Sequence, residues 1–184
     1  MDDEITKAKK TLRTEMRNER SSVNSEIKEF WDASICKQLS DIIAERDIKV
    51  VHTYLPMGSE VNLLPLIQKI LDSGIEVFCP KTLPNRVLEN RVLVSLDELE
   101  EGPMKTFHPK EVNVYEGHYD LIIVPGLAFD NQNFRVGYGG GYYDGFLANQ
   151  NESLKAGVFY GFQEVASVPK ESHDLSLDVI ITPK

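Results

Sequence analysis

Residues 49–80 read KVVHTYLPMGSEVNLLPLIQKILDSGIEVFCP, and this stretch decides the fold. It opens on a β-branched and aromatic run, 49–55, and closes on a second apolar run, 75–80, so a strand is predicted at each end. Between them, residues 63–73 repeat apolar side chains at helical spacing and stop at Gly74. A strand, a helix and a second strand in succession predict a right-handed βαβ unit, which requires a parallel sheet covered by helices.

Further strands are predicted outward from this unit. The strongest is YDLIIVP at 119–125, whose continuous apolar centre is typical of a strand buried on both faces, and we expect it at the centre of the sheet. Weaker or shorter strands are predicted at 88–94, 155–161 and 178–183. Residues 97–118 are predicted to be a loop.

Two helices are predicted before the βαβ unit. Residues 5–20 lack Gly and Pro and carry apolar side chains three or four positions apart, and a longer pattern of the same kind covers 27–43, with Ser22 or Asn24 as its cap. The fold class predicted for residues 1–184 is therefore one three-layer α/β domain. It has a mostly parallel central sheet flanked by helices and an N-terminal helical pair.

Composition excludes several classes of function. The 184 residues carry a net charge of -9, and the chain has two cysteines without metal-ligand spacing and no apolar run long enough to span a membrane. We therefore expect a cytoplasmic protein with reduced thiols, no membrane contact and no nucleic-acid partner. Basic residues are nevertheless concentrated at 7–20, where six Lys and Arg face two Glu, and this local excess indicates a small anionic ligand.

The chemistry is expected in residues 125–147, PGLAFDNQNFRVGYGGGYYDGFL, which follow the central strand. Ligands of open parallel sheets bind at the carboxyl ends of the strands. Four glycines precede a predicted helix, and their backbone N–H groups are free to surround a phosphate: Gly137, Gly139, Gly140 and Gly141. Arg135 is interpreted as an exposed loop cation whose loss leaves the melting temperature nearly unchanged. A tight turn with close helix packing remains the alternative for the glycines.

The polar residues near the glycines are candidates for ligand contacts, and several of them have an alternative structural role. Tyr138, Tyr142 and Tyr143 either stack on a planar heterocycle or pack at the edge of the core. Asp144 either stabilises the start of a helix or binds Mg²⁺, and Asp178, which opens the last strand, is a candidate second ligand. Glu60 follows the first strand and is a candidate acceptor for hydrogen bonds from a ligand ring.

The sequence also resembles a known family. The match is carried by PGLAFD and RVGYGGGYYD at 125–144, by KAKKTLR at 7–13, by YLPMGSEVN at 54–62 and by SLDVIIT at 176–182. In this order the motifs resemble those of 5-formyltetrahydrofolate cyclo-ligases, also called 5,10-methenyltetrahydrofolate synthetases. The resemblance implies an enzyme that uses ATP and Mg²⁺ to convert 5-formyltetrahydrofolate into 5,10-methenyltetrahydrofolate.

The resemblance also implies roles for individual residues. It assigns phosphate and nucleotide contacts to Lys9, Lys10, Arg13, Arg135, Gly137, Tyr138, Gly139, Gly140, Gly141, Tyr142 and Tyr143, with Lys9 and Arg135 catalytic. It assigns folate contacts to Arg13, Leu55, Glu60, Tyr138 and Tyr142, and the Mg²⁺ ligands to Asp144 and Asp178. One departure is Ser59, which stands where the family commonly has glycine.

Two other functions remain open at this stage. The same scaffold suits a binding or regulatory module that holds a nucleotide or folate without transferring a phosphoryl group. The aromatic and glycine-rich loop also resembles an RNA contact, although the acidic chain opposes it. With small-molecule ligands alone as partners, we expect a monomer.

Overall fold

The computed structural model of the chain describes residues 2–171 and 174–184. Within them the helices are α1 (Asp2–Ser22), α2 (Ser25–Glu45), α3 (Leu64–Asp72) and α4 (Tyr142–Leu147). The strands are β1 (Val50–His52), β2 (Glu76–Leu83), β3 (Val87–Leu93), β4 (Leu99–Glu101), β5 (Phe107–Pro109), β6 (Leu121–Val124), β7 (Ala128–Phe129), β8 (Arg135–Val136), β9 (Leu154–Val158) and β10 (Val179–Ile181). Among the described helices, none combines the length and the apolar character that crossing a bilayer requires.

The central sheet has six strands in the order β10-β9-β6-β1-β2-β3. Every neighbouring pair is parallel except β2 and β3, which form an antiparallel hairpin. The predicted central strand is confirmed, because β6 lies between β1 and β9 and all four of its residues are buried. The mostly parallel sheet predicted from the βαβ pattern is likewise confirmed.

Side chains of successive strand residues alternate between two cores, one on each face of the sheet. On one face, Val51 and Leu121 pack with Leu39 of α2 and Ile67 of α3. On the other face, Ile122 packs in a cluster that includes side chains of α4 and of the loops beside it. Helices therefore cover both faces, which is the three-layer arrangement that the sequence predicted.

Both N-terminal helices are present, and they pack on different parts of the molecule. Asn24 begins α2, since its side-chain oxygen accepts hydrogen bonds from the backbone N–H groups of Glu26 and Ile27 at 2.8 and 3.3 Å. Helix α1 instead places Met16 against Leu127 and its neighbours in the β7–β8 hairpin. The basic helix is thereby fixed beside the loop that follows the central strand.

Three features differ from the prediction. Strand β2 continues to Leu83, three residues beyond the predicted end, because its second half pairs with β3 in a hairpin that runs past the parallel strands. The stretch 97–118 is also not all loop, since it contains the β4–β5 hairpin, and a second short hairpin, β7–β8, precedes the glycines. Strands of two or three residues are too short to show an alternating pattern.

Candidate active site

A cavity of about 550 Å³ opens at the carboxyl edge of the parallel strands. This is the edge at which ligands of open α/β sheets bind. The lining includes residues of α1 (Thr6, Lys9, Arg13) and of the loop after β1 (Tyr54, Leu55, Met57, Glu60). It also includes residues of the β2–β3 hairpin (Pro80, Thr82, Arg86, Leu88) and two residues where β5 begins (Thr106, Phe107). The remaining lining residues are Pro125, residues 135–144, Glu171 and Asp174. All the residues predicted from the motifs lie in this lining except Lys10 and Asp178.

The glycine loop is held by an arginine of α1. The Nε atom of Arg13 donates a hydrogen bond to the carbonyl oxygen of Gly137 at 2.9 Å. Gly139 has a φ of +98°, and a Cβ atom at that position would lie 3.1 Å from the guanidinium carbon of Arg13. A side chain at 139 would therefore be strained and would displace Arg13, so the glycine is needed for this arrangement.

Arg135 is buried, which corrects its interpretation as an exposed loop cation. It lies on β8 with 6% of its surface exposed, because the short β7–β8 hairpin carries it under the loop. Its Nη2 atom lies 3.0 Å from the Oδ1 atom of Asp144, whose side chain is 31% exposed. Asp144 thus supplies a counter-charge for Arg135 in addition to its position in the first turn of α4.

Three polar atoms of lining residues are buried and have no hydrogen-bond partner in the described part of the chain. They are Oγ1 of Thr82, Nε of Arg135 and the hydroxyl of Tyr143. Each such atom costs about 1–3 kcal/mol when nothing satisfies it. Polar atoms of this kind at a cavity are the groups that a bound ligand would satisfy.

Lys9 is held between two carboxylates. Its Nζ atom lies 2.8 Å from Oε2 of Glu171 and 2.6 Å from Oδ2 of Asp174. Burial opposes the positive charge, but hydrogen bonds to Asp174 and Glu171 outweigh it and raise the pKa of Lys9. Lys9 therefore stays cationic at neutral pH, at the mouth of a cavity to which both acidic residues also contribute.

A buried polar cluster joins Glu60 to α1. Arg20 donates hydrogen bonds from Nε to Ser59 Oγ at 3.0 Å and from Nη2 to the Tyr138 hydroxyl. Glu60 is 4% exposed and accepts a hydrogen bond from the backbone N–H of Met57 at 2.8 Å, and burial raises the pKa of its carboxyl group. The serine that replaces the family's glycine thus gains a partner.

Two tyrosines of the loop differ in how their rings pack. The ring of Tyr143 packs beside His52 and Phe146, with centroid distances of 5.9 and 6.3 Å, although the residue also lines the cavity. Tyr138 is 37% exposed, and its ring lies over the arginines of α1. Tyr143 is therefore partly a core residue, whereas the ring of Tyr138 packs on α1 and the residue also lines the cavity.

Two of the predicted site residues, Lys10 and Asp178, lie outside the cavity lining. Lys10 is exposed and lies outside the lining, because the face of α1 toward the cavity carries Thr6, Lys9 and Arg13. Asp178 lies at the amino edge of the sheet, where its carboxylate accepts a hydrogen bond from Lys155 N at 2.7 Å. Asp144 and Asp178 are thus at opposite edges, and the predicted two-carboxylate metal site is not formed.

Several lining residues were not predicted. Arg86 and Thr82 lie on the β2–β3 hairpin, and Glu171 and Asp174 precede β10 in the chain. No local motif marks these four, since the fold alone brings them to the cavity. Arg20 belonged to the basic stretch of α1, but its burial against Tyr138 depends on how the helix is rotated.

Asp144 is the residue best placed to hold a metal ion. Among residues 2–171 and 174–184, no group of three or more His, Cys, Asp or Glu side chains is arranged to bind one. Mg²⁺ commonly uses one or two carboxylates together with substrate phosphates rather than a cage of protein ligands. The partly exposed carboxylate of Asp144 beside the glycine loop fits that mode of binding.

Comparisons with known proteins agree with this architecture. A family model described as the 5-formyltetrahydrofolate cyclo-ligase family matches residues 5–183. The chain is 29% identical over 188 residues to the 5-formyltetrahydrofolate cyclo-ligase of Haemophilus influenzae, covering 96% of this chain and 98% of the relative. It is similar to the structure of Aquifex aeolicus 5,10-methenyltetrahydrofolate synthetase, with a TM-score of 0.82, 29% identity, and coverage of 94% of this chain and 88% of the other. The chain therefore belongs to the 5-formyltetrahydrofolate cyclo-ligase family.

Proposed function

We propose that this protein catalyses the ATP- and Mg²⁺-dependent cyclisation of 5-formyltetrahydrofolate to 5,10-methenyltetrahydrofolate, with release of ADP and phosphate. Membership of the family supports the reaction. The observation that carries the proposal is that one cavity is lined both by the glycine loop with its arginines and by the residues assigned to folate, Leu55 and Glu60. A nucleotide and a folate are therefore able to meet there.

The chemistry explains why a phosphoryl donor is needed. The formamide oxygen of 5-formyltetrahydrofolate is a very poor leaving group, so N10 cannot displace it directly. Transfer of the γ-phosphoryl group of ATP to that oxygen gives an iminium phosphate and ADP. N10 then attacks the formyl carbon and releases its proton to solvent, the C–O bond breaks, and phosphate leaves with the original formyl oxygen as the ring closes. The task of the protein is positioning and charge neutralisation.

On this proposal the basic residues have distinct tasks. Arg135 holds its charge at a fixed place under the glycine loop, where it would neutralise charge on the transferred phosphoryl group. Arg13 would orient the loop and contact phosphate oxygens, since its guanidinium already bonds to the Gly137 carbonyl. Lys9 would exchange a carboxylate partner for a phosphate, as both are anionic acceptors at hydrogen-bonding distance.

A bound Mg²⁺ would neutralise phosphate charge and orient the phosphate chain. Asp144 would hold it while keeping its contact to Arg135, because a carboxylate has two oxygens and several acceptor positions. The negative charge of Asp144 would then lie between the positive charges of Arg135 and Mg²⁺, which limits the repulsion between those two cations.

On the folate side, Leu55 supplies an apolar wall and Glu60 a buried acceptor. Burial raises the pKa of the Glu60 carboxyl group and thereby opposes its charged form. The charged form is the better acceptor for hydrogen bonds from the ring N–H groups of the folate, so neighbouring donors are needed to stabilise it. Arg20 and Tyr138 lie close enough to supply that support.

We also propose that the protein acts as a single-domain cytoplasmic monomer.

The test mixes the purified protein with 5-formyltetrahydrofolate and compares the change in absorbance with and without ATP and Mg²⁺. The proposal expects formation of the methenyl product only when both are present. A binding module would instead bind folate or nucleotide without forming product. Formation of product at an equal rate without ATP would contradict the proposal.

A further inference from the structure

The tip of the β2–β3 hairpin carries an arginine in a costly backbone conformation. Asn85 and Arg86 have φ values of +61° and +62°, in the left-handed region that residues other than glycine seldom adopt. Such conformations persist where the surrounding structure imposes them, and they are concentrated at binding and catalytic sites. Arg86 lines the cavity although its side chain is largely exposed.

The side chain of Arg86 extends from the hairpin to the glycine loop. Its Cδ and Nη1 atoms lie 3.5 and 3.6 Å from the position that a Cβ atom would occupy on Gly141. Arg13 makes the corresponding approach to Gly139 from α1. Two arginines from separate elements therefore lie against the same loop.

Arg86 differs from the other arginines at the loop in having no acceptor. Arg13 donates to the carbonyl of Gly137, and Arg135 pairs with Asp144. Within the described residues, the guanidinium of Arg86 makes neither a hydrogen bond nor an ion pair. Thr82, on the same hairpin, has a buried Oγ1 atom at the cavity that also lacks a partner. Two donors of this hairpin are thus available to a ligand.

We propose that Arg86 is a substrate-positioning residue that binds the phosphate chain of the nucleotide over Gly141. The proposal rests on the proposed function. A guanidinium presents a planar fork of N–H donors that matches phosphate oxygens, and Arg86 holds it against a loop whose glycines leave the backbone open to the same group. The reaction offers one other multiply charged oxyanion, the glutamyl carboxylates of the folate. The contact with Gly141 favours the phosphates.

The proposal is tested with Arg86→Gly and Arg86→Lys, and Arg46→Ala serves as the control. Glycine adopts a positive φ without strain, so Arg86→Gly removes the side chain without adding backbone strain. Arg46 is an exposed arginine at the end of α2, and its removal changes the net charge equally. Each protein is titrated with ATP and Mg²⁺ by calorimetry, and KM is measured for monoglutamyl and triglutamyl 5-formyltetrahydrofolate.

We expect Arg86→Gly to weaken ATP binding about tenfold, the effect of losing one charge-assisted contact. Its melting temperature should be unchanged or higher, and both folate KM values should stay within about twofold of the wild type. Arg86→Lys should recover part of the affinity, and Arg46→Ala should match the wild type.

Three results would overturn the proposal. The first is unchanged ATP affinity in Arg86→Gly. The second is a rise confined to KM for triglutamyl folate, which would assign Arg86 to the carboxylates. The third is a parallel loss of affinity and melting temperature in both variants, which would mark a structural role. Failure of the wild type to bind ATP would instead contradict the proposed function, and it is seen before any variant is compared.

Discussion

Arg135 carries a buried charge that the protein satisfies only in part. Asp144 is its one ion-pair partner among the described residues, and its Nε atom has no acceptor. Burying an incompletely paired charge generally lowers stability, and replacing it with an apolar side chain of similar size is often neutral or stabilising. On the proposed function, the charge of Arg135 acts on phosphate, and it contributes little to the stability of the fold.

Arg135→Met is therefore expected to separate activity from stability. Methionine fills most of the volume, and Asp144 remains solvated because its side chain is 31% exposed. Turnover should fall at least about 100-fold, while the free energy of unfolding should change by less than about 1 kcal/mol. Steady-state kinetics and urea unfolding measure the two quantities. Near-normal turnover, or a loss of several kcal/mol in stability, would contradict this assignment.

Asp144→Asn is expected to affect both quantities. The substitution leaves the Arg135 guanidinium buried without a counter-charge, which should cost about 1–2 kcal/mol because Asp144 is only partly buried. Loss of an anionic metal ligand should also lower turnover at least about 100-fold and raise the Mg²⁺ concentration at half-maximal activity. Asp178→Asn is the matched control, since Asp178 lies at the other edge of the sheet. Equal Mg²⁺ midpoints for Asp144→Asn and the wild type would exclude the metal role.

His52 makes part of the stability depend on pH. Burial lowers its pKa from 6.5 to about 3, so the folded protein keeps it neutral while the unfolded chain binds a proton as the pH falls below 6.5. This contribution is complete above pH 6.5 and is lost between pH 6.5 and about 3, by up to about 1.4 kcal/mol per pH unit. His52→Gln can keep the hydrogen bond to Asn90 and should flatten the dependence between pH 7.5 and 5. Parallel wild-type and variant profiles in urea unfolding would contradict this.

The turn after β6 connects the sheet to the site. The Gly126 carbonyl accepts hydrogen bonds from Arg20 and Gln163, both at 3.3 Å. A Cβ atom at Gly126 would lie 2.5 and 2.7 Å from two atoms of the fully buried Phe159 ring. The turn therefore requires glycine for reasons of packing.

Gly126→Ala is expected to cost about 1–3 kcal/mol of unfolding free energy, because the Phe159 ring cannot move without disturbing the core. Gly161→Ala is the control, since no atom lies within 4 Å of its Cβ position, and it should stay within about 0.5 kcal/mol of the wild type. Chemical denaturation of the three proteins gives both values. Similar stabilities for the two variants would show that Phe159 yields easily.

The elements that the sequence predicted well are those with long periodic patterns. Helices α1 and α2 and strand β6 each have enough apolar residues to show their period. The β4–β5 and β7–β8 hairpins were missed, because strands of two or three residues carry no such signal. The prediction also ended β2 too early, because Pro80 interrupts the apolar run. In the structure Pro80 pairs with Asn90, and the pairing of β2 with β3 continues beyond it.

Most of the candidate site was predictable because its motifs are continuous in sequence. Residues 135–144 and the start of α1 meet at one cavity as the resemblance implied. Asp178 was misplaced because a residue that opens a parallel strand lies at the amino edge, away from the cavity. Arg86 was missed because only tertiary folding brings its hairpin to the glycine loop.

Charge is distributed unevenly between the cavity and the rest of the molecule. The net charge of -9 would repel a polyanion, yet the basic stretch of α1 presents Lys9 and Arg13 to the cavity. Lys9 is paired with Glu171 and Asp174, so Arg13 and Arg86 are the lining cations without an ion-pair partner among the described residues, and they would attract a small anion.

On the proposed function, the formyl oxygen of the substrate leaves as part of the phosphate, and isotope transfer measures this. 5-Formyltetrahydrofolate carrying ¹⁸O in the formyl group is converted by the purified protein with ATP and Mg²⁺ in unlabelled water, and the released phosphate is examined by ³¹P NMR. We predict one ¹⁸O atom in each phosphate released, with one ADP for each methenyl product formed. Unlabelled phosphate would contradict phosphoryl transfer to the formyl oxygen.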